Sequence, residues 1–415
     1  MASLPKISNV DEYNNTLKFT LSNINVSYAN AIRRILLSDI PCIVFKTNPY
    51  SENNVNIKIN KSRLNNELIK QRISCIPIHI DNIYEFPYHN YIIELEKIND
   101  TNSIIYVTTE DFKIKNIDSE KYLETSEVRQ LFPPDPITGD YIDIIRLRPK
   151  LTDTSEPEQL KFEAKLTISS AKEDGTFNVV STCAYGNTLD PVKINDAWSS
   201  KEATLKDTVS KEELEFLKKD WMLLDAKRLF IEDSFDFIIE TIGIYSNYKL
   251  LELGISLIIK KLYITLESLK NENELIYDAI DTLDNCYVIT LLNEDYTIGK
   301  IIEYYLYNKY FKEEKIVNYV GFLKKHPHDN HSFIKISFKN LISKEELLIM
   351  IEDSVNNSIL ILNSIKEYFI DKKKNYQILY ISWLKKIILT FYNILWEIFV
   401  IFFLMKITSK NMKKI

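Results

Sequence analysis

Two long apolar stripes constrain this chain more than anything else in it. Leu251, Ile255, Ile258, Leu262 and Leu269 recur at spacings of four, three, four and seven, the period of one helical face. Further on, Leu348, Ile351, Val355, Ile359, Leu362, Ile365 and Phe369 form a second stripe on the same period. Ser343 and Glu346 open that second helix with the S-x-x-E pattern, in which each side chain satisfies the other residue's backbone N–H. A helix with so long an apolar face must bury it against something. Neither stripe has another long helix in its own neighbourhood, so each offers itself to the other. The polar run Lys270–Glu274 reads as the linker after the first.

The chain before each stripe repeats one order: strand, short helix, strands, long helix. In the first unit Thr16–Leu21 alternates as a half-buried strand, and Asn23–Asn25 follows as a turn. Ala29, Ile32 and Leu36 then share a helical face with Val26 at its edge; Asn25 or Ser27 caps the start and Pro41 enforces the stop. Cys42–Lys46 and Asn56–Ile59 read as strands, and Ser62–Ile73 as a second helix. After about residue 80 come strand-like pieces (Tyr91–Ile98, Ile104–Thr108, Tyr141–Arg148, Gln159–Ser169, Thr176–Tyr185) broken by turns rich in Pro and Asp. Lys201–Arg228 is helical in part, and Ser234–Thr241 alternates again. In the second unit Tyr287–Asn293 is a strand, Asp295–Asn308 a helix capped by Thr297, and Val317–Leu323 and Phe333–Phe338 are strands. The pattern predicts an α+β chain: a first unit from 1–80 and 230–270, a β-rich insert over 81–229, a second unit over 275–370, and an apolar tail over 371–415.

Several function classes are set aside by composition. A net charge of −6 argues against strong direct binding of nucleic acid, which rests on neutralising phosphates with Lys and Arg. Cys42, Cys75, Cys183 and Cys286 form no CxxC pair, so no structural zinc site and no other cofactor is legible. The opening MASLPKISNVDEY has no apolar core and does not read as a signal peptide, which points to a cytosol-like compartment with reduced thiols. Neither a phosphate-cradling glycine loop, a GxSxG, nor a magnesium-binding Asp-x-Asp-x-Asp motif is present, and Asp140, Asp143, Asp233 and Asp236 are spaced differently. An enzyme in its own right, such as a nucleotidyl transferase, is therefore the weaker reading. His326, His328 and His331 lie close together, but Pro327 and the turn around them favour structure over a metal. Ile387–Met405 is nineteen residues with one charge, Glu397, flanked by lysines. It meets the length of a membrane span, at a cost of about 2.5–3.5 kcal/mol for the acid, taken from the Asp value. A membrane-anchored interaction protein, a helix on a partner and an extension without selected function stay open for it.

The stretch Phe19–Phe45, with Arg33 and Arg34 after Asn30-Ala31-Ile32, resembles the dimerisation motif of the third-largest subunit of eukaryotic RNA polymerase II, the archaeal D subunit and the bacterial alpha subunit. Asn65–Pro77 is similar to that family's second signature, and Phe235–Leu269 to its closing helix. The second unit, through Leu292–Gly299, Val320-Gly321-Phe322 and His326-Pro327, is similar to the smaller partner, the eleventh subunit and archaeal L. The resemblance covers about residues 10–370. It implies two alpha-like dimerisation units fused on one chain and paired through their long helices. It implies a non-catalytic assembly platform that docks the two large catalytic subunits and meets other small ones. The subunit-interface residues carried over are Asn30, Arg33, Arg34, Arg72, Gly299, His326 and Pro327. The insert lacks the family's cysteine cluster, so no metal is carried over, and Ile298-Gly299-Lys300 departs from the usual Leu-Gly-Asn. Fusion of the two partners is what the resemblance implies for a large DNA virus transcribing in the cytoplasm.

Overall fold

A computed structural model describes residues 4–150, 152, 155–205, 209–279 and 283–372. The chain divides into two compact bodies, Met1–Ile365 and Lys366–Ile415. In the second, 366–372 are helical, and the apolar stretch Ile387–Met405 lies outside the described residues. No described helix is long and apolar enough to cross a membrane.

The first body opens with β1 (Lys6–Tyr13), β2 (Thr16–Ser22), α1 (Val26–Ser38), β3 (Pro41–Val44), β4 (Val55–Asn60) and α2 (Asn66–Ser74). The middle of the chain holds β5 (Tyr91–Ile98), β6 (Ile105–Thr108), β7 (Lys113–Asn116), α3 (Thr125–Leu131), β8 (Asp143–Leu147), β9 (Gln159–Lys165) and β10 (Thr167–Ser170). It returns through β11 (Val180–Leu189), α4 (Pro191–Leu205), α5 (Lys211–Leu223), β12 (Phe230–Thr241) and α6 (Asn247–Asn271). Then follow β13 (Ile276–Asp278), β14 (Cys286–Leu292), α7 (Tyr296–Leu306), β15 (Val317–Leu323) and β16 (His331–Phe338). A helix from 344 to the end of this body, α8, completes it.

The sheets define the modules. β1-β2-β12-β11 form one antiparallel sheet, β4-β9-β5-β7 a second and β13-β14-β16-β15 a third. Apolar alternation fixes register in each, because a slip of one residue would turn the buried set outward. Thus Phe19 of β2 lies opposite Phe237 of β12 with rings stacked at 5.1 Å, and Ile289 of β14 lies opposite Ile334 of β16. The sheets draw the insert differently from the sequence boundaries at 81 and 229. β4 joins the insert's sheet, whereas β11 pairs with β12 in the first module. An excursion of α4 and α5, closed on Trp198 and Trp221, leaves from that strand.

The two short helices start in the same way. Asn23 and Asn293 turn the chain at φ 59° and 56°, a left-handed conformation that Asn tolerates better than most residues. Two residues on, Asn25 accepts from the Ser27 N–H at 2.9 Å and Asp295 from the Thr297 N–H at 2.8 Å. Asp295, rather than Thr297, is therefore the cap of α7, because its carboxylate precedes the first turn and reaches the free N–H groups. The Ser343–Glu346 box is present in both directions, at 3.2 and 2.8 Å. Beyond α7 the helix loosens into a π-helical turn over Tyr307–Glu313, held by Asp353 of α8. That carboxylate accepts from Lys309 Nζ at 2.6 Å, Tyr310 Oη at 3.0 Å and Tyr305 Oη at 3.1 Å.

Candidate pairing site

Helix α1 is the meeting point, packed against both α6 and α7. Its buried face is wider than the stripe Ala29, Ile32 and Leu36 alone. It includes Tyr28, Ala31 and Ile35, while Val26 is exposed. Gly254 makes the approach to α6 possible: a Cβ there would stand 2.8 Å from Leu36 Cδ2. Tyr28 crosses to the second module. Its hydroxyl lies 3.0 Å from Ser358 Oγ of α8, and its ring sits edge-on to Tyr304 of α7, centroids 6.2 Å apart. Burial holds the Tyr28 phenol well above the ordinary tyrosine range, so it stays a neutral hydrogen-bonding group.

Beside this apolar seam lies a cleft of about 520 Å³ lined by charge. Arg34 reaches across it to the start of α7, where Nη2 donates to the Asp295 carboxylate and Nε donates to Thr297 Oγ1 at 2.9 Å. Lys261 of α6 stands between the modules, 2.7 Å from Asp39 at the end of α1 and 3.7 Å from Glu294. Glu294 is 9% exposed, and its backbone carbonyl accepts from Ser332 Oγ at 2.9 Å. Burial pushes the Glu294 carboxyl up to about 7, against the pull of Lys261 and Lys172. Burial also disfavours charge on Asp295, yet the Thr297 N–H and hydroxyl and the Arg34 guanidinium hold its carboxyl below the usual range. Burial pulls the Lys261 ammonium down, while Glu294 and Asp39 prevail and hold it above its ordinary value.

The residues carried over from the sequence resemblance fall in five places. Arg34 is committed inside the chain, on Asp295 and Thr297. Asn30 and Arg33 form their own pair on α1, with Arg33 Nε and Nη2 donating to Asn30 Oδ1 at 3.1 and 2.9 Å. Arg72 lies away from the seam. It clamps α2 to β8 by donating to the carbonyls of Ile144 at 2.7 Å and Asp143 at 2.8 Å. Gly299 is a close-approach glycine, because a Cβ there would fall 2.0 Å from Phe322 Cε2. That contact joins the two sequence motifs of the second module. The turn at His326 is closed by its own N–H on Asp329 Oδ2 at 2.9 Å, and Pro327 borders the charged cleft. Among the described residues no group of His, Cys, Asp and Glu side chains is placed to hold a metal ion.

Lys261, Asp39, Tyr28 and Tyr304 escaped sequence reasoning. Lys261 follows Lys260 on a helix whose polar face is charged, the pattern of a solvated face. Nothing local marks which lysine of such a pair turns inward.

The RNA polymerase Rpb3/Rpb11 dimerisation domain family model matches residues 18–262. A conjugation stage-specific protein of Tetrahymena thermophila is 24% identical over 194 residues, 43% of this chain and 57% of that protein. The DNA-directed RNA polymerase II subunit rpb3 of Dictyostelium discoideum is 32% identical over 84 residues, 20% of this chain and 26% of its own length. Subunit 3B of the RNA polymerases IV and V of Arabidopsis thaliana is 41% identical over 61 residues, 15% and 17% of the two chains. The chain thus spans less than two thirds of each of these relatives.

Proposed function

The chain belongs to the RNA polymerase Rpb3/Rpb11 dimerisation domain family, and from that premise we propose that it is a non-catalytic assembly subunit of a DNA-directed RNA polymerase. In this reading two alpha-like modules are joined on one polypeptide and pair with each other. The observation that carries the reading is the placing of α1 between α6 and α7, with Arg34 bound to the cap of α7. A dimerisation surface is thereby filled from within the chain. A short linker holds the second module at an effective concentration of order millimolar, so pairing needs no second polypeptide.

The paired modules form the platform on which the two large catalytic subunits and other small subunits assemble. Asn30 and Arg33, Arg72, and the turn at His326 and Pro327 are the residues proposed for those contacts, and Arg34 and Gly299 support the platform from inside. The joined modules, with a composition rich in Ile, Asn, Lys and Tyr, fit a large DNA virus transcribing in the cytoplasm. Affinity purification of the native protein from its source tests the proposal. Large polymerase subunits are expected in the eluate at amounts comparable to this chain. An eluate without them would overturn the assembly role.

A further inference from the structure

A second cavity, of about 660 Å³, lies in the insert and shares no lining residue with the charged cleft. Phe112, Val128 and Phe132 line its apolar side and are buried, with the two rings edge to face and 4.9 Å between centroids. Thr109 lines it beside them and is 1% exposed. Both backbone groups of Thr109 are committed: the N–H donates to the Ile142 carbonyl at 3.1 Å, and the carbonyl accepts from the Phe112 N–H at 3.3 Å. Its hydroxyl has no hydrogen-bond partner. A hydroxyl shut away from water without a partner is rare in a folded chain and costs stability. Valine has the same shape and would carry no such cost.

The rim is charged but balanced. Lys97 lies 2.5 Å from Asp111, Arg129 3.4 Å from Glu110 and Lys161 2.6 Å from Glu96, and the charge of Lys113 also reaches Glu96. A nucleotide or other strongly anionic ligand would set its charge against three carboxylates, and a polycation would meet Lys97, Lys113 and Arg129. The volume falls within the roughly 300–1,000 Å³ of ligand clefts, more than one side chain fills. Phenylalanine walls favour a third ring packed edge to face, and the hydroxyl without a partner asks that ring for a polar tip. A phenol answers both, since it donates and accepts, and tyrosine is a common anchor in pockets between proteins. We propose that the cavity receives a tyrosine on a segment of a partner polypeptide with little net charge. The ring packs against Phe112 and Phe132, its hydroxyl bonds to Thr109, and the flanking residues meet the paired charges of the rim. That the tyrosine comes from a partner polypeptide rests on the assembly role read above.

The test titrates the full chain, with its valine methyl groups labelled, with three compounds: the capped tripeptides acetyl-Ala-Tyr-Ala-amide and acetyl-Ala-Phe-Ala-amide, and p-cresol. The Val128 methyl signals, inside the cavity, report binding by NMR. The tyrosine peptide should shift them saturably, bind about three- to tenfold more tightly than the phenylalanine peptide, the worth of one hydrogen bond, and bind more tightly than p-cresol. Thr109→Val should bind the two peptides alike and melt no lower than the unaltered chain, whereas Thr109→Ser, which keeps the hydroxyl, should keep the preference. No saturable shift, equal affinity for the two peptides in the unaltered chain, or a preference that survives Thr109→Val each overturns the tyrosine site. Cresol bound as tightly as the peptide overturns the polypeptide occupant, and adenosine monophosphate bound more tightly than either overturns the exclusion of anions. The titration uses the chain alone, so its failure leaves the co-purification of large polymerase subunits to be judged separately.

Discussion

Adjacent arginines on α1 have opposite commitments. Arg33 bonds to Asn30 on its own helix, whereas Arg34 ties one module to the other through Asp295 and Thr297. Arg34→Ala should therefore lower unfolding stability by about 1 kcal/mol, a value kept small because the pair is partly exposed. Arg33→Ala should stay within about 0.5 kcal/mol, as surface changes usually do. Denaturant unfolding of the two variants checks the difference, and equal losses would refute it. Glu294 adds a pH signature. Its carboxyl titrates at about 7 in the folded chain and near 4.3 in an unfolded one. The folded state holds this proton more tightly, so stability falls as pH rises between those values. Thermal melts of Glu294→Gln should show a flatter decline than the unaltered chain between about pH 4.5 and 7, and parallel curves would count against the assignment.

At the scale of the element, α7 and β15 are joined by the space that Gly299 leaves for Phe322. Gly299→Ala should cost about 1–3 kcal/mol, the usual penalty of overpacking, even though alanine is the better helix former. Adding Phe322→Leu should recover part of the loss, and calorimetry of the single and double variants reads it directly. Glycine at that position is visible in the sequence, but the aromatic ring that requires it is not. The same division runs through the fold. The alternation of Thr16–Leu21, the stripes of α6 and α8 and the box at Ser343 are local patterns, and each marks an element that is present. β1 is mostly exposed and has no clean alternation to reveal it. The start of α4 at Pro191 rests on Asp190, which accepts from the Val192 and Lys193 N–H groups, both at 3.1 Å, a cap with no apolar stripe behind it. The membership of β4 and β11 depends on pairing between distant strands, which composition does not encode. In the site, the acids Glu294 and Asp295 lie inside a legible motif, while their partners Lys261 and Arg34 are identified only by the packing of α1 against α6 and α7.

At the scale of the whole molecule, the proposed pairing makes the seam between the modules the contact to test. Cutting the linker near Asn271–Glu274 should leave two pieces that stay associated, because each buried Leu or Ile contributes about 1.5–3 kcal/mol. Val355→Asp with Ile359→Asp should separate them, since both positions are buried and an unpaired carboxylate there is costly. Light scattering of the cut protein distinguishes the outcomes, and association that survives the double variant would place the seam elsewhere. The sheet of the first module also sets an order in time. Thr20 of β2 donates to Asp236 of β12, 216 residues later, and β2 lies between β1 and β12. At about 5–20 residues per second, a ribosome needs roughly 10–40 s to travel from one strand to the other. For that interval β1, β2 and α1 have emerged without the strand that closes their sheet, while the strands of the insert are being made. The sheet of the first module therefore closes only after more than half of the polypeptide has been made, with the strands of the insert already out.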